Sequence, residues 1–190
     1  MNEHFANVKL TGRVVTEPTV LTEYGIEKIY EAQIEYKRTS DKTDRFIINY
    51  SSGLDLDIKK DMLLLIDGTV RTTKFEQITK IYVKIDNAKV LDEEPEIYTN
   101  EVVIKGVLAK APRIRKSYKD ETTDITDLTV KVERNQTKAS YLPVVAWNNN
   151  ARLASQIAEG EEINIRGRLQ SHTTKNGYLM TEITTTSFRA

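Results

Sequence analysis

The chain of 190 residues has no cysteine. That excludes disulfides, thiolate metal sites and cysteine nucleophiles together, and it fits a reducing compartment. Histidine is almost as scarce. His4 and His172 stand far apart, and no HExxH pair, glycine-rich phosphate loop or nucleophile elbow accompanies them. Carboxylates are plentiful but scattered, with no spacing that marks a catalytic pair. The expectation is a protein that is not an enzyme and has no catalytic residues, no metal and no cofactor. Charge of one sign is not in excess either, since 28 basic residues meet 28 acidic ones. No bulk field draws the chain to nucleic acid or membrane, so any electrostatic patch must be local. No run approaches the roughly 18 apolar residues of a membrane span. The opening "MNEHFANVKLTGRV" lacks a basic-then-apolar leader. A soluble cytoplasmic protein without a membrane partner is expected.

What the chain does have is internal repetition. "NVKLTGRVVTEP" (7–18) resembles "NEVVIKGVLAKAP" (100–112), with Gly12 against Gly106 and Pro18 against Pro112. "IYEAQIEYKR" (29–38) lies against "ITDLTVKVER" (125–134), and "RFIINYSS" (45–52) against "SYLPVVAW" (140–147). "LLLIDGTVRT" (63–72) matches "EINIRGRLQS" (162–171), and "YVKIDNAKVL" (82–91) answers "LMTEITTTSF" (179–188). Five segments in the same order point to a tandem duplication. The acidic "LDEEPEIYTN" (91–100), which holds Pro95, reads as the join. The domains are placed at 1–91 and 100–190, with 92–99 as linker.

Each half reads as five short strands. Alternation is plain in Ile29–Tyr36, Ile125–Val132 and Leu63–Val70, and Asn176-Gly177 is a hairpin turn signal. One helix is expected, in "ARLASQIAE", with its N-cap in Asn148–Asn150 and its end at Gly160. Leu153 and Ile157 would plug one end of a barrel. The first half has only "GLDLDIKKD" (53–61) at that point, so its helix is short or absent. Gly12 and Gly106 fall inside first strands, where glycine marks a bend that lets one strand serve both sides of a barrel. The fold class is all-β with one short helix, arranged as two tandem five-stranded OB-fold barrels.

"YLPVVAW" (141–147) carries the functional signal. On a strand Tyr141, Pro143, Val145 and Trp147 share one face, and Leu142, Val144 and Ala146 the other, core-like face. An exposed aromatic holds a base by its flat face at about 1–3 kcal/mol per base, while Lys and Arg neutralise phosphates. "RIRKSYKDE" (113–121) reads as a ligand-clasping loop, with Arg113, Arg115, Lys116 and Lys119 around Tyr118. "ERNQTK" (133–138) adds Arg134 and Lys138, and "YKRTSDKTDR" (36–45) adds Arg38 and Arg45. The neutral total thus hides basic stretches interleaved with aromatics. Tyr24, Tyr30, Tyr36 and Tyr50 are read as core or subunit contacts.

The second half resembles a bacterial single-stranded DNA-binding protein. The resemblance rests on "VVIKGVLAKAPRIR", "ITDLTVKVERN", "YLPVVAWNNNARLASQIAEGEEINIRGRLQS" and "YLMTEI", and runs through nearly all of 101–188. The first half resembles the same family through 7–38 and 63–91. The resemblance implies sequence-independent binding and protection of single-stranded DNA in replication, recombination or repair, on the nucleoid. It puts Tyr141 and Trp147 on stacking positions. In the first half it puts Phe46 on the former and Ser52 on the latter. Phe75 falls on a further stacking position, where the second half has Thr174. Most family members carry one barrel per chain and work as tetramers, so two barrels per chain imply a homodimer presenting four. Many members continue into an acidic-tipped tail that recruits replication proteins. This chain stops at "TSFRA", so tail-mediated recruitment is not expected; replication proteins remain partners that the resemblance implies, and a specialised role on a phage, plasmid or other mobile element fits the departure. The alternative is a primosome-type module that uses its barrels for assembly, with weak or no DNA binding.

Overall fold

A computed structural model describes residues 4–75, 78–117, 121–135, 137–174 and 176–189, with Phe75 by its backbone alone. The first barrel comprises β1 (Phe5–Val14), β2 (Thr19–Tyr24), β3 (Glu27–Lys37), β4 (Thr43–Ser51), β5 (Leu63–Phe75) and β6 (Ile78–Val90). Its strands run in the order β2-β3-β4-β6-β5-β1, and a β3–β1 pairing closes it. The second comprises β7 (Asn100–Leu108), β8 (Arg113–Lys116), β9 (Asp124–Glu133), β10 (Ala139–Trp147), α1 (Asn149–Ala154), β11 (Glu162–Thr173) and β12 (Leu179–Arg189). Its order is β7-β11-β12-β10-β9-β8, closed by β7–β9. The chain forms two compact units. One holds Asn7–Asn100 together with the hairpin tip Ser171–Thr181, and the other is built on Glu101–Gln170. Among the described residues no helix is long and apolar enough to cross a membrane.

Each barrel carries six strands where five were expected. The additions, β2 and β8, are short edge strands on the long β3 and β9. The stretch Arg113–Lys116, read from sequence as loop, is therefore strand. Closure depends on the first strand of each barrel. β1 pairs with β5 through Asn7–Arg13 and then with β3 at Arg13 and Val14. β7 does the same with β11 and with β9 at Val107 and Leu108. At the crossover a Cβ on Gly12 would lie 2.7 Å from the Glu35 carbonyl oxygen, and one on Gly106 2.6 Å from that of Lys131. Only glycine lets the backbones approach so closely.

Strand register gives the residue equivalence of the barrels. Ile34 faces Phe46 as Val130 faces Leu142, and Ile48 meets Val83 as Val144 meets Ile183. Thus β4 and β10 superpose as Thr43–Ser51 on Ala139–Trp147, one residue away from the alignment read in the sequence. The slip moves every side chain to the opposite face. Arg45, not Phe46, corresponds to Tyr141, and Ser51, not Ser52, to Trp147.

The helix differs from its expectation as well. It spans Asn149–Ala154, and Asn148 caps it with no side-chain bond at φ 53°. Its buried face is Ala151 and Ala154, Ile157 is buried in the loop that follows, and Leu153 is exposed. Thr126, facing Ala146 across β9 and β10, donates its hydroxyl hydrogen bond to the Ala151 carbonyl at 2.8 Å. The first barrel has Tyr30 and Tyr50 at these two positions, stacked at 5.3 Å. The paired rings fill space that the small Thr126 and Ala146 leave to α1. Burial drives the Tyr50 hydroxyl up to about 12, with smaller contributions from Tyr30 and Asp57.

One buried ion pair anchors the β3–β4 hairpin. Asp44 accepts from Arg38 Nε and Nη2 at 2.5 and 2.6 Å, and from the backbone N–H of Ser171 at 2.8 Å. Burial raises the Asp44 carboxyl, but the hydrogen bonds from Arg38 and Ser171 outweigh it and hold the group below its usual value.

Two outcomes follow. Gly106→Ala should cost about 1–3 kcal/mol of stability by denaturant titration, because overpacking forces the backbones apart; a cost near zero would mean that the crossover is loose. A carboxyl held below its unfolded value, about 3.9 for Asp, stabilises the fold above that value and loses the contribution as pH falls through the folded one. Asp44→Asn should therefore lower the melting temperature at neutral pH, and the gap to the parent should narrow below about pH 4. A gap independent of pH would refute the ion-pair account.

Candidate single-strand interface

In β10 the outward and inward faces separate as the alternation dictates. Leu142, Val144 and Ala146 are buried at 0%, 1% and 0% exposure, whereas Tyr141 on the other face is 50% exposed. Trp147 and Pro143 on that face are half-buried, and Val145 between them is covered. Six residues of strand put Tyr141 and Trp147 about 20 Å apart.

Tyr141 sits at the mouth of the β9–β10 hairpin. The Arg134 N–H donates to the Lys138 carbonyl at 2.8 Å, and Asn135 Oδ1 accepts from the N–H groups of Thr137 and Lys138 at 3.0 and 2.8 Å. This local cap holds a turn whose side chains point outward. Arg134 and Lys138 are exposed, and across the ladder Lys131 pairs with Tyr141. Together Lys131, Arg134, Lys138 and Tyr141 line a cleft of about 520 Å³, with Glu133 at its edge. Lys131 donates to Glu133 at 2.6 Å, which raises the amine above and holds the carboxyl below their ordinary values. Sequence reading passed over Lys131, although the alternation of "TVKVE" places it outward with Glu133.

Other candidate cations are committed elsewhere. Arg115 donates to both oxygens of Asp127 at 2.7 and 3.1 Å. Lys116 and Arg152 converge on Asp124 at 2.5 and 2.7 Å, holding its carboxyl low. Arg38 belongs to the Asp44 pair. These three predicted phosphate ligands, Arg38, Arg115 and Lys116, act in intramolecular ion pairs, because each faces a carboxylate across its own ladder or hairpin. Arg45 is outward and exposed, at 3.1 Å from Glu35. Arg113 is exposed on β8 with no ion-pair partner among the described residues. Tyr118 and Lys119 lie outside the described residues, as does the side chain of Phe75.

Phe46 is a core residue. It is 1% exposed and packs against Tyr36 at 6.4 Å, so it offers no face to a base. The one-residue register slip explains the misplacement. The outward face of the first barrel carries a different aromatic, Tyr82 on β6. With Ile47, Asn49, Thr73, Lys74 and Lys80 it lines a cleft of about 390 Å³. Tyr178, 43% exposed beside the Asn176-Gly177 turn, is a second aromatic missed in the sequence. Its position flanking a hairpin turn was the available signal. Among the described residues no cluster of His, Asp and Glu could hold a metal ion.

Comparison with known proteins follows the same division of the chain. Residues 99–188 match the single-strand binding protein family. No curated protein matches the chain significantly. Among solved structures, the wild-type single-stranded DNA binding protein from Thermus aquaticus is similar at 18% identity and a TM-score of 0.78, covering 98% of this chain and 93% of that one. A deletion mutant of the same protein gives 19% identity and 0.77, covering 100% and 95%. The likeness extends over both barrels and establishes the tandem OB fold. The family match thus covers the second barrel, and the chain as a whole has the fold of two OB barrels in tandem.

Proposed function

We propose that the chain binds single-stranded DNA without sequence preference, by stacking bases on Tyr141 and Trp147 and by phosphate contacts from Arg134 and Lys138. The observation that carries this reading is the half-exposed Tyr141 ring set in one cleft with Arg134 and Lys138, which have no ion-pair partner among the described residues. Stacking needs only a flat ring with one open face, and ammonium and guanidinium groups need only phosphate, so neither reads base edges. Duplex DNA keeps its bases inside and loses the stacking contribution. The role is binding, not catalysis, on cytoplasmic nucleoid DNA exposed in replication, recombination or repair. The working units are a first domain 1–91, a connector 92–99 and a second domain 100–190. Two such barrels per chain suit a homodimer that presents four. No observation favours the assembly-module alternative.

Tyr141→Ala should weaken oligo-dT binding by about 1–3 kcal/mol with stability within about 0.5 kcal/mol of the parent. Trp147→Ala should lose binding and also some stability, because the ring is half-buried. Oligo-dT should quench the fluorescence of this single tryptophan. Lys138→Ala should reduce the log–log salt slope by about 0.7, the contribution of one single-strand phosphate contact. Unchanged affinity in both aromatic variants would reject the site. Sedimentation equilibrium should return about twice the chain mass of 21.7 kDa, and a monomer at micromolar concentration would reject the dimer.

A further inference from the structure

The cleft at Tyr141 has a counterpart in the first barrel, and the chain's own acidic connector forms its facing wall. By the strand registers, Lys131, Glu133 and Ala139 correspond to Glu35, Lys37 and Thr43. The turn residues Arg134 and Lys138 correspond to Arg38 and Lys42, whose hairpin closes with the same hydrogen bond, Arg38 N–H to Lys42 carbonyl at 2.8 Å. Glu35, Lys37, Arg38 and Thr43 line a cleft of about 460 Å³, so the same wall of the barrel forms a cleft in each half. In the first barrel the facing wall is Glu94–Tyr98.

The segment is held by specific contacts. Glu94 accepts from Arg13 and from the Tyr98 hydroxyl, and Arg13 also donates to the Asp61 carbonyl at 2.7 Å. The Tyr98 ring stands edge-on to Tyr36 at 6.3 Å, and the Thr99 carbonyl accepts from the Thr11 N–H at 2.8 Å. The hydrogen bonds from Tyr98 and Arg13 hold the Glu94 carboxyl below its usual range, so it is charged at neutral pH. At the position of Arg13 the second barrel has Val107, which cannot hold a carboxylate.

Resting on the reading above, we infer that the first barrel holds a second site for single-stranded DNA, masked by residues 93–98 acting as a built-in mimic of the ligand. The chemistry matches part for part. Glu94 and Glu96 supply anionic oxygens as phosphates would, and Tyr98 supplies an aromatic ring as a base would. Arg13 and Lys37, which line the cleft, are the cations that a strand would meet once the segment leaves. Pro95 removes one backbone donor and keeps the segment from joining a strand ladder. The site therefore opens by competition, and the second barrel engages the strand first.

The test uses the full chain and oligo-dT. Glu94→Gln with Glu96→Gln removes the charges and keeps the shape. Asp55→Asn with Asp57→Asn removes two exposed charges elsewhere on the same unit and controls for bulk charge. In a Tyr141→Ala background, where the second barrel is weakened, the Glu94/Glu96 pair should raise affinity about tenfold, whereas two removed surface charges should give about twofold or less. Equal gains from both pairs, or none from the first, would overturn the inference. The parent chain tests the reading on which it rests: if oligo-dT does not bind the parent at all, that reading fails first. Hydrogen exchange on the unmutated chain provides a second measurement, free of any folding defect. Saturating oligo-dT should increase exchange in 92–99 and decrease it in 37–45. Protection of 92–99 by oligo-dT would show that the segment stays seated, and the mask would be rejected.

Discussion

Closure of each barrel through a single bent strand is the constraint on which the binding faces depend. β1 and β7 each leave one neighbour and join another within a few residues, and the backbones touch at Gly12 and Gly106 more closely than any Cβ allows. Once closed, a barrel has an inside and an outside, and period-two alternation assigns every side chain to one of them. Phe46, Ile48 and Tyr50 point in, as do Leu142, Val144 and Ala146. Arg45 and Tyr141 point out from equivalent positions. The ligand-facing chemistry is thus whatever the outward register contains.

That dependence explains what could be read from the sequence. The duplication, the two barrels, the paired glycines and the outward placement of Tyr141 all follow from alternation and spacing, which are local. Phe46 failed because matching two strands by their aromatic residues ignores parity, and one residue of slip exchanges core for surface. The short helix failed at its end because Leu153 has helix propensity but lies off the Ala151–Ala154 face. Ion pairs were the other gap. Arg38, Arg115 and Lys116 look like available cations in a linear sequence, and only the cross-strand and hairpin geometry brings each to its carboxylate.

Those pairs also reconcile a chain of zero net charge with an anionic ligand. Asp44, Asp124 and Asp127 each sit where a ladder or hairpin places a cation beside them, so their charge is cancelled within the fold. The hairpin at 134–138 is different. Its turn is stabilised by the Asn135 side chain and not by a charge pair, which leaves Arg134 and Lys138 pointing outward. The cleft is cationic while the chain is neutral because its one carboxylate, Glu133, is matched by Lys131 and leaves Arg134 and Lys138 over, and screening over a Debye length of about 8 Å keeps distant carboxylates from cancelling them.

The two barrels share a skeleton and differ in how the same positions are filled. Where the second has Thr126 and Ala146 beneath a helix, the first has stacked Tyr30 and Tyr50 and, among its described residues, no helix. Both solutions cover the same end of the core, one with backbone and the other with ring surface. The aromatics at 141 and 147 become Arg45 and Ser51, and the Ser51 hydroxyl accepts from the Gly53 N–H at 3.1 Å, turning inward to the local loop. The first barrel therefore lacks the stacking pair on its third long strand and has Tyr82 on a different one. The two barrels thus carry their outward rings on different strands and are not interchangeable. Duplication preserved what closure requires, the bent first strand and its glycine, and released what it does not, the residues of the outward register.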